Sequence, residues 1–108
     1  MANNEHLDDV FQALSDPTRR QVLRKLGEGP ASVTELAAPF DMGLPSFMKH
    51  IRLLEASGWI RTRKTGRVRT CSIEMTRFAA IYDWLAEQRA VWENRTDRLE
   101  ASVAEESE

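Results

Sequence analysis

Apolar residues near the start of the chain recur at the three- and four-residue spacing that one face of an amphipathic helix requires. The first such stripe consists of Leu7, Val10, Phe11 and Leu14. It predicts a helix that ends near Leu14, before the turn sequence SDP. Asp16 can then cap a second helix with Pro17 in its first position, and we expect this helix to run to Leu26.

A short helix and a longer one are predicted next, with a tight turn between them. Ser32 stands three residues before Glu35, which is the capping-box pattern of a helix start, and Pro39 limits the length of the helix that follows. The sequence DMG then indicates a turn. From Pro45 the apolar residues again occupy one helical face until the dipeptide SG, and they are Phe47, Ile51 and Leu54.

The hydrophobic period changes from about four to two after Gly58, which is typical of β-strands. This change predicts a hairpin whose two strands are residues 59–64 and 67–74, with Thr65-Gly66 as its turn. Alternation places the arginines of each strand on one side of it, Arg61 with Arg63 and Arg67 with Arg69.

A long amphipathic helix over residues 76–99 completes the predicted fold. Its apolar residues lie close to a heptad seam, and they are Phe78, Ile81, Tyr82, Leu85, Trp92 and Leu99. Residues 101–108 have too little apolar content to pack and are predicted to form a flexible acidic tail. The predicted fold class is mainly α with a β-hairpin, in the order α-α-α-α-β-β-α, within one domain over residues 1–100.

The composition fits one globular domain. A chain of 108 residues with 42% apolar and 30% charged residues can bury one core and is too short for two domains of ordinary size. No apolar run is long enough to span a bilayer, and the start of the sequence lacks the pattern of a secretory signal. Cys71 is the only cysteine, which fits a reducing compartment. We therefore expect a cytoplasmic protein without a membrane partner.

The charge is distributed unevenly, although the net charge is only −2. Residues 44–70 hold seven basic side chains against one acidic side chain, Glu55, so this segment carries +6 and the remainder of the chain −8. A solvated face usually mixes both signs, so the segment favours a polyanionic partner, and nucleic acid above all. An enzyme is not indicated, because the sequence offers no nucleophile with a base, no carboxylate pair and no metal-ligand cluster.

A short helix, a tight turn and a second helix with basic residues in its N-terminal half form the helix-turn-helix arrangement, which can place the second helix in a major groove. The basic hairpin would be the wing beside it. With these features the chain resembles the ArsR-type winged-helix repressors over residues 7–92. The segments that carry the resemblance are LSDPTRRQVLRKL, VTELAAPFDMGLPSFMKHIRLLEASGWI and RTRKTGRVRTCSI.

The resemblance implies a homodimeric repressor on a roughly palindromic double-stranded operator, released by a signal such as a small-molecule effector. Its first and last helices would form the dimer interface, through Leu7, Val10, Phe11, Phe78, Tyr82, Leu85, Trp92 and Leu99. The candidates for DNA contact, on the second helix of the motif and on the wing, are Pro45, Ser46, Met48, Lys49, His50, Arg52, Arg61, Arg63, Lys64, Arg67 and Arg69.

Two features depart from that family. Its metal-sensing members carry cysteines in the third helix, where this chain has Ala37, Ala38 and Pro39, or Asp and His ligands in the last helix, which here lacks histidine. No metal or other cofactor is therefore expected. Met48 stands where members often have a serine, so the base preference stays open.

Two alternatives to a DNA-binding repressor without a metal site stay open. They are a winged-helix protein-interaction module without DNA binding, and a metal- or thiol-sensing repressor, although Cys71 is more simply explained as a buried structural thiol.

Overall fold

The computed structural model describes the backbone of residues 2–106 and the side chains of residues 7–95, 98 and 99. Within these residues the chain forms α1 (Ala2–Ala13), α2 (Pro17–Leu26), β1 (Ala31–Ser32), α3 (Val33–Ala37), α4 (Leu44–Ala56), β2 (Ile60–Thr65), β3 (Val68–Ile73) and α5 (Thr76–Glu106). This mainly helical order with an antiparallel hairpin is the predicted fold class, with the short strand β1 added between α2 and α3.

Side-chain caps explain where α2 and α3 begin. Asp16 accepts a hydrogen bond from the backbone N–H of Arg19 at 3.1 Å, and Pro17 occupies the first turn of α2, where no N–H is needed. At α3 the Ser32 hydroxyl accepts from the Glu35 N–H at 3.1 Å, while the Glu35 carboxylate accepts from the Ser32 N–H at 3.3 Å. Both predicted helix starts are confirmed.

The strands form one antiparallel sheet in the order β1-β3-β2. Thr65 pairs with Val68, so the turn of the hairpin is Gly66-Arg67, and Gly66 has the positive φ of 62° that such turns require. The predicted turn is therefore wrong by one residue, and Arg67 lies in the turn rather than on a strand face. β1 pairs with β3 through Ala31 and Cys71. The sequence did not predict β1, because a strand of two residues shows no alternation.

Trp59 lies at the centre of the core formed by the first part of the chain. It is 1% exposed, its indole N–H donates to the carbonyl of Val10 at 2.9 Å, and its ring meets Phe78 edge-to-face with centroids 4.7 Å apart. The predicted inward face of α4 is also buried, through Phe47, Ile51 and Leu54. Val10 is itself only 1% exposed, which corrects its predicted place in a dimer interface: it is a core residue of the single chain.

The chain turns from α4 into β2 at Gly58, which has φ +82°, a backbone conformation that residues with a Cβ rarely adopt. The guanidinium of Arg77 lies over this glycine, and its Nε donates to the carbonyl of Ser57 at 3.2 Å. A Cβ at position 58 would collide with that guanidinium. The positive φ is therefore the feature that favours glycine at this turn.

The chain divides into two compact units, residues 1–78 and residues 79–108. The first contains the helix-turn-helix segment α3-α4 and the hairpin. The second is the remainder of α5, which is helical to Glu106 and extends past the domain boundary that we predicted at residue 100. Of the predicted acidic tail, residues 107 and 108 lie outside the described part of the chain. None of the described helices is both long enough and apolar enough to cross a bilayer.

Candidate nucleic-acid interface

The exposed side of α4 is polar and basic because its other side belongs to the core. The buried side consists of Phe47, Ile51 and Leu54. The exposed side includes Pro45, Ser46, Lys49 and Arg52. Helical geometry places Met48 and His50 on the two opposite borders between these sides, and both are half-buried. Because α4 is the second helix of the predicted helix-turn-helix, we refer to it by the conventional name of that element, the recognition helix.

The cross-strand register decides which basic residues of the hairpin share a face, because paired residues point to the same side of a sheet. Thr62 pairs with the buried Cys71, and the next pair on that face is Lys64 with Arg69. Alternation places Arg61 and Arg63 on the opposite face, as predicted. The basic side chains therefore extend to both sides of the wing.

Arg61, at the base of the hairpin, forms an ion pair with Glu74. The Thr76 hydroxyl donates to the same carboxylate at 2.9 Å. Hydrogen bonds from the side chain and backbone of Thr76, together with the charge of Arg61, hold the pKa of Glu74 below its ordinary value. Glu74 is therefore ionised at neutral pH and offsets the charge of Arg61.

A hydrogen-bond relay joins Arg69 to the recognition helix. Nη1 of Arg69 donates to Oγ1 of Thr62 at 3.0 Å, and the Thr62 hydroxyl donates to Oε2 of Glu55 at 2.5 Å. Glu55 lies in the last turn of α4 and is the single acidic residue of the basic segment. The relay therefore holds the hairpin against α4 and directs the guanidinium of Arg69 inward along the sheet.

The remaining basic side chains of the two elements are exposed, and in the part of the chain that the structure describes they form no hydrogen bond or ion pair through their side chains. They are Lys49, Arg52, Arg63, Lys64 and Arg67. We call them the open cations. They occupy the exposed side of α4 and the distal half of the hairpin, so they are the charges that this surface can offer to an anionic partner.

His50 is anchored to the junction of α1 and α2 through Arg19. The Nη1 atom of Arg19 lies 3.1 Å from Nδ1 of His50, while Nε donates to the carbonyl of Ala13 at 2.8 Å and Nη2 to that of Gln12 at 3.1 Å. Oδ2 of Asp16 lies 3.7 Å from the same imidazole nitrogen. Although burial opposes ionisation, the hydrogen bond from the backbone N–H of Arg19 and the charge of the Arg19 guanidinium keep the pKa of Asp16 below its ordinary value. Arg19 thus links the C-terminal end of α1 to the recognition helix.

The other residues predicted at a dimer interface differ in their exposure. In the first unit Leu7 is half-buried, Phe11 is exposed, and Phe78 keeps an exposed edge beside its contact with Trp59. In the second unit four large apolar residues of α5 are exposed by 73%, 51%, 67% and 62%, namely Tyr82, Leu85, Trp92 and Leu99. We call these four residues the α5 seam.

Cys71 is fully buried within β3. Burial, reinforced by the charge of Glu55, raises the pKa of its thiol to about 11, so the group is protonated at neutral pH. Among the side chains that the structure describes, no three His, Cys, Asp or Glu residues are grouped as a metal ion would require.

The short helix α3, its turn, the exposed basic helix α4 and the basic hairpin define the winged helix-turn-helix class of DNA-binding domain. A family model described as a helix-turn-helix domain matches residues 14–63. The chain is 32% identical over 74 residues to the HTH-type transcriptional regulator Rv2034 of Mycobacterium tuberculosis, covering 68% of this chain and 69% of that protein. It is 29% identical over 79 residues to the transcriptional repressor SdpR of Bacillus subtilis, covering 73% and 88%.

Solved structures of similar proteins also match this chain. The crystal structure of the ArsR family transcriptional regulator RHA00566 superposes with a TM-score of 0.82 at 66% identity, covering 83% of this chain and 93% of that one. The homodimeric winged helix-turn-helix DNA-binding domain Mb0332 of Mycobacterium bovis shares the fold, with a TM-score of 0.65 at 22% identity over 88% of this chain and 87% of that one. The chain belongs to the ArsR family of helix-turn-helix transcriptional regulators, as its motifs indicated.

Sequence reasoning missed the supporting side chains of this surface, which are Arg19, Glu55 and Thr62. Glu55 was recognisable as the one carboxylate in a basic segment, but its partner depends on how the hairpin folds back. Arg19 lies in the motif DPTRR, while the His50 that it contacts is 31 residues further along the chain. No local pattern connects two such positions.

Proposed function

We propose that this regulator is a homodimeric repressor that occupies a double-stranded DNA operator and leaves it in response to a signal other than a metal ion. The observation that carries the proposal is the set of open cations on α4 and the distal hairpin. Lysine and arginine side chains without intrachain partners bind phosphates strongly, because each neutralised phosphate releases condensed counterions. A DNA backbone is the partner for which these charges are best suited.

The recognition helix and the wing have different tasks in this proposal. The first half of α4 enters the major groove, where Ser46, Lys49 and Arg52 contact base edges or phosphates and Met48 packs against a thymine methyl group. The wing residues Arg63, Lys64 and Arg67 bind flanking phosphates or the minor groove. Three of the other candidates have supporting tasks. Pro45 lies in the first turn of the helix, and Arg61 and Arg69 support the hairpin through their intrachain contacts.

A dimer would place two recognition helices on successive half-sites. The α5 seam supports this part of the proposal, since large exposed apolar residues at heptad spacing are typical of association surfaces. The related domain Mb0332 is homodimeric. Two protomers related by a two-fold axis would read half-sites about 34–36 Å apart, or somewhat more.

Repression follows from position, because a dimer bound across a promoter blocks polymerase, and the relative SdpR is a repressor. The target is the gene's own operon or a neighbouring one. The release signal is an effector of non-metal chemistry, because α3 carries no thiol and α5 no histidine with which to bind a metal ion.

The proposal is tested by measuring, with fluorescence anisotropy, how tightly the protein binds to DNA duplexes that together cover the promoter of its own gene and the neighbouring promoters. We expect one duplex to bind at least about a thousandfold more tightly than a scrambled duplex at physiological salt, with affinity that falls as salt rises. Arg52→Ala should weaken binding, whereas Arg24→Ala, which removes an exposed arginine from α2, is the matched control and should not. If no duplex binds with salt-dependent affinity, the domain is a protein-interaction module instead.

A further inference from the structure

The contact between Arg19 and His50 favours one tautomer of the imidazole over the other. A guanidinium donates hydrogen bonds and cannot accept them, so the 3.1 Å contact from Nη1 of Arg19 requires a lone pair on Nδ1 of His50. The neutral ring then carries its hydrogen on Nε2. Oδ2 of Asp16 lies 3.7 Å from Nδ1, which is too far for a hydrogen bond to that nitrogen.

The Nε2–H of His50 is directed away from Arg19, because the two ring nitrogens point in divergent directions. Among the described residues, the imidazole contacts Arg19 and Asp16 through Nδ1, and Nε2 makes no hydrogen bond. The side chain keeps 22% of its surface exposed. The ring therefore presents one donor, in a fixed orientation, to a partner outside the chain.

The position of His50 on α4 favours a phosphate over a base as the acceptor. His50 follows Lys49, so it lies about 100° around the helix from the centre of the exposed side. The centre of a helix inserted in a major groove faces the base edges, while its borders face the phosphates of the two strands. Because Arg19 also binds the carbonyls of Gln12 and Ala13, this border is held rigidly against the end of α1.

We propose that His50 donates its Nε2–H to a DNA phosphate as a neutral side chain, and that Arg19 is the positioning residue that fixes this tautomer. The inference rests on the proposed entry of α4 into the major groove. The hydrogen bond from His50 to the phosphate would help to set the position of the helix on the duplex, and the side chain that donates it carries no charge. Such a contact contributes affinity on every sequence and leaves the salt dependence unchanged, because a neutral donor releases no counterion.

The tautomer is tested on the protein without DNA. The chain has two histidines, so a His6→Asn background leaves the ring of His50 as the single imidazole for long-range nitrogen–proton NMR correlation at pH 8. We expect a protonated Nε2 and an unprotonated Nδ1, and a mixture of both tautomers after Arg19→Met. Arg20→Met is the matched control, since Arg20 donates to the carbonyl of Leu14 at 2.7 Å and should leave the spectrum unchanged. A protonated Nδ1 in the wild type, or an unchanged ring after Arg19→Met, overturns the inference.

The phosphate contact is tested with the full chain on the operator and on a scrambled duplex, over a range of salt at pH 8. His50→Asn retains a polar group near Nδ1 and loses the distal donor, so we expect about tenfold weaker binding to both duplexes with an unchanged salt slope. His50→Gln can place an amide N–H near the position of Nε2 and should stay within about threefold of the wild type.

Three results would contradict this contact. A salt slope lowered by about 0.9 in His50→Asn indicates a charged imidazolium, a loss confined to the operator indicates a base contact, and an unchanged affinity indicates no contact. Arg67→Ala, measured in parallel, separates the inference from the proposed function. If that variant also leaves DNA binding unchanged, the proposed interface itself is wrong, whereas the tautomer fixed by Arg19 is still decided by the NMR measurement.

Discussion

The recognition helix and the hairpin are both basic, but they hold their charges differently. On α4, Lys49 and Arg52 are exposed because the helical period turns them away from the buried face. On the hairpin, availability depends on the partner that each cation finds: Arg61 pairs with Glu74 and Arg69 donates to Thr62, whereas Lys64, directly opposite Arg69 in the sheet, is open. The net charge of +6 in this segment is therefore larger than the number of positive charges that are available for contacts with DNA. Whether a cation is available depends on its position relative to Glu55 and Glu74.

The largest expected effect comes from a variant that weakens the contacts of both the recognition helix and the hairpin with the operator. Trp92→Glu places a charge in the α5 seam, and burying it in a dimer without a partner should prevent association. We expect operator binding to weaken by more than about a hundredfold, because each isolated protomer reaches a single half-site.

Sedimentation and anisotropy on the same samples check this prediction. Ala90→Glu is the control, since residue 90 lies about 200° around the helix from residue 92 and adds the same charge outside the seam. A wild-type chain that sediments as a monomer at micromolar concentration would contradict the dimer.

The next effect compares the tip of the hairpin with its base. Arg67→Ala removes an open cation, so we expect roughly fivefold weaker binding to operator and scrambled duplex alike, with a salt slope lower by about 0.9. Arg61→Ala removes the same charge from a pair with Glu74 and should change the slope much less. Equal slopes for the two variants would mean that the ion pair opens on DNA and that the tip and the base do not differ.

A third variant separates the hairpin from the recognition helix. Thr62→Val keeps the shape of the side chain and deletes the relay from Arg69 to Glu55, so the free energy of unfolding should fall by about 1 kcal/mol. Affinity for the operator should fall by about twofold to threefold, because the wing is no longer held against α4. Urea unfolding and anisotropy measure the two effects. Thr70→Val, on the outer face of β3, is the control, and an equal loss there would show that the relay has no special effect.

A smaller effect concerns base preference. Met48 lies on the border of α4 opposite His50 and has no strong hydrogen-bond donor, so Met48→Ser should change the ranking of operator variants and leave the salt slope unchanged. Competition among single-base operator variants provides the measurement, with Met75→Ser, an exposed methionine outside α4, as the control. If Met48→Ser changes only the overall affinity while Arg67→Ala changes base preference, the helix and the wing exchange their tasks.

The smallest expected effect is none at all. Stoichiometric zinc, cadmium or arsenite should leave operator affinity unchanged, because α3 carries no thiol, α5 carries no histidine, and Cys71 is buried and protonated. Anisotropy titrations of the metals into the preformed complex test this. A loss of binding that persists in Cys71→Ser would establish a metal site elsewhere.

Periodicity and capping predicted most of the fold because the features concerned are local. The start of α2 depends on Asp16 and Pro17 alone, and the start of α3 on Ser32 and Glu35. The turn of the hairpin shows the limit of this reasoning. Thr65-Gly66 and Gly66-Arg67 are both acceptable turn sequences, and the choice follows from the register with which β3 pairs with β2.

The candidate surface was predicted in part. Its basic residues are visible as a segment of the sequence, but their availability depends on contacts between elements. Glu74, just after β3, reaches Arg61 on the neighbouring strand β2, and Arg19 on α2 reaches His50 on α4. Such contacts arise only when the elements are assembled, so a count of charges along the chain cannot separate an open arginine from a paired one.

The burial of Trp59 also provides an optical reporter. Its indole lies in apolar surroundings with its N–H bonded to Val10, so we expect emission at shorter wavelength than from Trp84 and Trp92, which are 38% and 67% exposed. A chain that keeps Trp59 as its single tryptophan would follow the unfolding of residues 1–78 by fluorescence. A chain that keeps Trp92 would follow the association of two copies. Folding and pairing could thus be recorded as separate spectroscopic signals from two single-tryptophan variants.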